Sequence, residues 1–90
     1  MGENRNLFSL IPKVDELLED ESIKELLKKM PRVLVVDSIR EEIDVIRIGI
    51  RNNVLREDEV QNKIDDLPKS IETRANKKNS YSQFRFLIGL

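Results

Sequence analysis
The stretch VLVVDSIREEIDVIRIGIR, residues 33–51, decides the fold. On a helix with 3.6 residues per turn, Val35, Ile39, Ile43, Ile46 and Ile50 fall on one stripe, the signature of a core face. Arg40, Arg47 and Arg51, at i, i+7 and i+11, fall on a second stripe about 100° round from the first. The residues from Val33 to Val36 are β-branched or leucine and could pass for a buried strand. The 3.6-residue period nevertheless runs unbroken to Ile50, and no second strand stands nearby to pair with it. The spacing therefore predicts one long helix. Gly49 costs it about 1 kcal/mol relative to alanine. That glycine marks a frayed last turn, with Asn52 or Asn53 in the left-handed position beyond it.

The segments upstream read as cover for the apolar stripe. Residues 1–6 are polar and loose, and Asn6 can cap a short turn holding Leu7, Phe8, Leu10 and Ile11. Pro12 suits a first helical position, where its missing N–H costs nothing. Val14, Leu17 and Leu18, spaced i, i+3, i+4, give a two-turn helix over residues 13–19 that depends on packing for its stability. Ser22 followed by Glu25 reads as a capping box, opening a helix with Ile23, Leu26, Leu27 and Met30 on its inner face. Pro31 closes that helix and biases Met30 towards an extended backbone.

Downstream, Glu57, Asp58 and Glu59 crowd the first turn of a fourth helix, where the dipole favours negative charge. Val60, Ile64 and Leu67 form its inner edge, and Pro68 ends or kinks it. Ile71 can add one more apolar contact. From Glu72 the composition turns polar and basic, which reads as linker. The end, YSQFRFLIGL, is apolar and β-prone with nothing beside it to pair with. The expected fold class is all-α: a small orthogonal bundle of about four helices over residues 6–70, with a flexible tail over residues 71–90.

Ninety residues allow one small domain whose core supports only a few kcal/mol of net stability. Charged residues make up 37% of the chain and nearly cancel, at a net of −1, which suits a helical domain with solvated outer faces. With neither cysteine nor histidine, the chain lacks thiolate and imidazole metal ligands and the commonest general base. No apolar run is long enough for a membrane span or a signal peptide, so a cytoplasmic chain is expected; the expected oligomeric state is a monomer. No segment is basic enough to announce nucleic acid by bulk charge, so a polynucleotide site would have to be a local patch.

Two stretches carry a family resemblance. LFSLIPKVDELL, residues 7–18, resembles the opening of bacterial selenocysteine synthases, the L-seryl-tRNA(Sec) selenium transferases, which begin Leu-x-x-Leu-Pro-x-Val-Asp-x-Leu-Leu. Ile11 here takes the place of the leucine before Pro12. VVDSIREEIDVIRIGIR, residues 35–51, is similar to the family's long helix, in which Val-Val leads to three arginines; these are Arg40, Arg47 and Arg51. The tail departs from the pattern, since Leu87-Ile88-Gly89 does not continue into the family's Asn-Ala-Thr-Gly. The likeness covers roughly residues 6–85.

The resemblance implies the N-terminal domain of an enzyme that uses pyridoxal phosphate and selenophosphate to turn seryl-tRNA(Sec) into selenocysteyl-tRNA(Sec). The cofactor and its lysine belong to a catalytic core outside this stretch. No cofactor, metal or catalytic residue is therefore expected in residues 1–90. The implied role of this domain is to recognise tRNA(Sec) through its D-arm.

The arginines fit such a role, because a guanidinium pairs bidentately with phosphate and stacks on an exposed base. The candidate RNA-binding residues are Arg32, Arg40, Arg47, Arg51 and Arg56. The competing explanation is a salt-bridge lattice, since Asp44 lies i+4 from Arg40 and i−3 from Arg47, placed to bridge both. Lys77, Lys78 and Arg85 could also follow an RNA backbone or merely solvate a linker. Glu41 and Glu42 diverge by about 100° on a helix and are not expected to share a site. Val45 and Ile48 project away from the core stripe, which leaves a helical protein–protein interaction module as the alternative function.

Overall fold
A computed structural model describes residues 7–87, with side chains through residue 80. A 3-10 turn, Leu7–Leu10, precedes five helices: α1 (Val14–Leu18), α2 (Glu21–Lys29), α3 (Arg32–Arg51), α4 (Glu57–Asp65) and α5 (Leu67–Leu87). Among the described residues there is no strand, and the fold is a small all-α bundle. None of its helices is long and apolar enough to cross a membrane.

Helix α3 is the spine, as its periodicity requires. Val35, Ile39, Ile43, Ile46 and Ile50 are all buried, and around them close Leu17, Ile23, Leu26, Met30, Val60, Leu67, Ile71 and Ala75 from the other four helices and their caps. Pro31 stands at the N-cap of α3, and Met30 before it is extended (φ −152°, ψ 163°), the conformation a following proline favours. At the other end Asn53 adopts the left-handed backbone, φ 58°. The Asn53 amide donates to the Ile50 carbonyl and the Val54 amide to that of Gly49, at 3.1 and 2.8 Å, closing a Schellman motif.

Gly49 is not the mark of fraying that its helix propensity suggests. A Cβ added there would lie 2.5 Å from Leu55 Cδ1, so the glycine lets the returning chain lie directly against the last turn of α3. The predicted Ser22 capping box is also replaced. Asp20 is the N-cap of α2, and its carboxylate accepts from the Ser22 amide at 2.8 Å. Its negative charge faces the positive helix end, an advantage serine lacks. At the starts of α1 and α4 the direction is reversed: Glu16 and Glu59, three residues in, accept from the N-cap amides of Lys13 and Arg56 at 3.1 and 2.9 Å.

The largest correction concerns residues 71–90. The expected linker from Glu72 and the β-prone end as far as Leu87 are both part of α5, which runs unbroken from Leu67 to Leu87. Only Asp66 separates α4 from α5, and its carbonyl accepts the Ser70 amide at 3.0 Å. Pro68 falls in the first turn of the new helix, where no hydrogen bond is lost, so it permits a bend without stopping the chain. Ile71 and Ala75 are fully buried, and α5 packs against α3 more extensively than any other helix does. Residues 1–6, including the predicted Asn6 cap, and residues 88–90 lie outside the described residues.

Candidate nucleic-acid interface
The two flanks of α3 carry opposite charges and meet different neighbours. On one flank, Arg40 and Arg47 line a groove of about 510 Å³ that is closed on its far side by Phe8, Ile11, Pro12, Lys13 and Val14. Leu7, Ile11 and Val14 pack on the core and pin the 3-10 turn and the start of α1 beside α3. The turn itself is tightened by the Ile11 amide, which donates to the Phe8 carbonyl at 3.2 Å. Leu7 and Ile11 face inward at i, i+4 spacing. Phe8 and Leu10, expected to join them, stay 41% and 37% exposed.

Asp44 does not neutralise this flank. It pairs with Arg47 at 3.2 Å and leaves Arg40, which is exposed and makes no ion pair among the described residues. Arg51 continues the row one turn beyond Arg47, so the three guanidinium stems span about 16 Å along the helix axis. In the last turn, its charge also favours the negative end of the α3 dipole. Arg32 and Arg56 are exposed at the first position of α3 and the N-cap of α4, and neither lines the groove. Sequence spacing thus brings three of the five arginines into one row. Lys13 and Phe8 join the groove only because the N-terminal turn folds back on α3.

The other flank is closed. Arg74, from α5, donates through Nε to Glu42 at 2.6 Å and through Nη1 to Glu41 at 3.0 Å; Lys78 donates to Glu41 at 2.8 Å. Glu41 and Glu42 do diverge on the helix, but a guanidinium arriving from a neighbouring helix is wide enough to take one with each side of its fork. The two therefore share a site, contrary to the expectation from their angular separation. The Lys78 hydrogen bond, with help from Arg74, holds the Glu41 carboxyl below the usual glutamate range against the opposing effect of burial. The Glu42 hydrogen bond, followed by that of Glu41, raises the Arg74 guanidinium further. Lys78 is consequently engaged within the fold and does not extend a basic surface.

Nothing described suits pyridoxal phosphate. A Schiff-base lysine works from a desolvated pocket. Lys78, the least exposed of the described lysines, is instead held by Glu41, and the remaining lysines stand in solvent. Nor do three or more acidic side chains converge as a metal site among the described residues.

Part of this sequence is shared with known proteins. Residues 8–47 match the family described as selenocysteine synthase N terminal. The chain is 39% identical over 79 residues to the L-seryl-tRNA(Sec) selenium transferase of Clostridium botulinum strain Loch Maree, an alignment covering 83% of this chain and 17% of the relative. It is 41% identical over 54 residues to the protein of that name from Geobacter metallireducens, covering 60% and 12% respectively. The chain thus spans about a sixth, or less, of the length of these relatives. No solved structure matches it.

Proposed function
We propose, for a chain that carries an N-terminal domain of selenocysteine synthase, that this domain recognises tRNA(Sec) and presents seryl-tRNA(Sec) for conversion to selenocysteyl-tRNA(Sec). Conversion belongs to a pyridoxal-phosphate core outside residues 1–90, in the cytoplasm, and this domain contributes affinity and placement. The observation that carries the reading is Arg40: exposed, in mid-helix, with no ion pair among the described residues, and lining a groove that also receives Arg47 and Lys13. A cation left open in a fold that pairs Arg74 and Lys78 so fully is available to an external anion.

The contact is to the tRNA D-arm, read through backbone and shape, with Arg40, Arg47 and Arg51 on phosphates. Arg32 and Arg56 lie towards either end of that row and add long-range attraction. Such binding weakens steeply with salt, because each neutralised phosphate releases condensed counterion. Replacing Arg40, Arg47 and Arg51 together by glutamine should weaken tRNA(Sec) binding at low salt and flatten the plot of log affinity against log salt. The expected change in slope is about 2 to 3, at roughly 0.7–0.9 per lost phosphate contact. Filter binding across a salt series, with circular dichroism to confirm unchanged helicity, measures it. Unchanged affinity and slope would remove the row as the contact.

A second reading has one observation in its favour. Val45 and Ile48 are 45% and 49% exposed on the outer face of α3, as a protein-docking patch would be. Concentration-dependent self-association of the chain, abolished by Val45→Ser with Ile48→Ser and indifferent to tRNA, would favour it.

A further inference from the structure
Among the described residues, three of the surface grooves differ in chemistry. The one between α3 and α5 is lined by Glu42, Lys69, Ser70, Thr73, Arg74 and Lys77, and it contains cations but no aromatic ring. Another, where Val45 faces α4, contains Lys63 against Glu42 and Asp66 and is unsuited to an anion. The groove between the 3-10 turn and α3 alone among them combines Arg40, Arg47 and Lys13 with an aromatic side chain, Phe8, and its one carboxylate, Asp44, is paired with Arg47.

We infer that this groove is a seat for one unstacked nucleotide of RNA, with Phe8 as the platform on which its base stacks and Arg40 and Lys13 holding the adjoining phosphates. This rests on the tRNA reading above and narrows it from backbone contact to capture of a splayed base. Phe8 is two-fifths exposed although the chain has few large apolar residues to spare, and its neighbours Leu7 and Ile11 are the ones that pack on the core. Its backbone is fixed by the 3-10 turn, by the Ile11 amide bond to its carbonyl, and by the rigid φ of Pro12 four residues on. A ring presented on a fixed turn loses little freedom when a base lands on it. Arg40, Arg47 and Lys13 line the same groove as that ring, and cations beside an aromatic side chain are the combination used by single-strand binding surfaces. A base paired inside a duplex cannot reach such a platform. The nucleotide taken must therefore come from a loop or an unpaired position.

Substitution at Phe8 tests this in the full 90-residue chain, with tRNA(Sec) transcript as ligand. Phe8→Leu keeps the apolar bulk and removes the ring, whereas Phe8→Trp keeps a stacking face and introduces a fluorophore into a chain that has no tryptophan. Phe8→Leu should weaken binding about tenfold or more without altering the salt slope, because no charge is lost. Phe8→Trp should bind within a few-fold of the parent, and its emission should be quenched by tRNA(Sec) and by a single-stranded oligonucleotide but not by blunt duplex RNA. Leucine binding as tightly as phenylalanine, or tryptophan emission unmoved in a chain saturated with tRNA, overturns the seat. If the arginine-row variant loses binding while Phe8→Leu does not, the base seat fails and the backbone reading survives. A parent chain that does not bind tRNA(Sec) overturns both. Should Phe8→Leu melt earlier than the parent, the tryptophan emission decides alone.

Discussion
The two flanks of α3 are built from similar material and end in opposite states. On the α5 flank, Glu41 and Glu42 meet Arg74 and Lys78 in four charged groups joined by three short hydrogen bonds. On the N-terminal flank, Arg40 and Arg47 have Asp44 between them, and it pairs with Arg47 alone. Charge that a small fold needs for its own assembly is satisfied across helices. In the row beside the open groove, Arg40 and Arg51 make no ion pair among the described residues and are proposed to take an external anion. That difference, more than the number of basic residues, is what the proposed binding face rests on in a chain whose net charge is −1.

The closed flank is most vulnerable at Ile71. If α5 is part of the closed flank, Ile71→Ala removes a fully buried side chain and should cost about 2–5 kcal/mol. For a domain of this size that is most or all of the stability. A thermal or urea melt would show it, whereas a linker residue would change nothing.

The ionic contact itself is worth less. Arg74→Met keeps much of the stem and deletes the fork, and its side chain is about a third exposed. The loss expected is about 1–2 kcal/mol, near the lower range for charge-assisted bonds and reduced by solvent screening. Its affinity for tRNA(Sec) should match the parent, the reverse of the arginine-row variant. The same contact gives a small pH dependence. Because the Glu41 carboxyl is lowered in the fold, its contribution is complete above the ordinary glutamate range and disappears as the pH falls through the lowered value. Acid melts of the parent and of Glu41→Gln should converge there.

The unequal treatment of the flanks also explains what could be read from the residues. Helix α3 was legible from end to end, since five buried positions repeat at helical spacing and Pro31 and Asn53 punctuate its ends. Three of the candidate arginines share a row for the same reason. Helix α5 was not legible as a helix of the bundle. Beyond Leu67 its buried contacts among the described side chains are Ile71 and Ala75, one of them too small to register as apolar patterning, joined there by the polar pair Arg74 and Lys78. Such residues resemble a basic linker until Glu41 and Glu42 are seen opposite them. Phe8 and Lys13 were hidden differently. Their place beside Arg40 depends on how the turn before Pro12 folds back, a tertiary fact that periodicity does not encode.

Amide chemical-shift mapping of the 90-residue chain with tRNA(Sec) at low salt tests the central claim most directly, because one experiment reads both flanks. Saturable shifts are expected along the open flank, at Phe8, Lys13, Arg40, Asp44, Arg47 and Arg51, with Glu41, Glu42, Arg74 and Lys78 nearly unmoved. Shifts concentrated on the closed flank, or none at either, would contradict it.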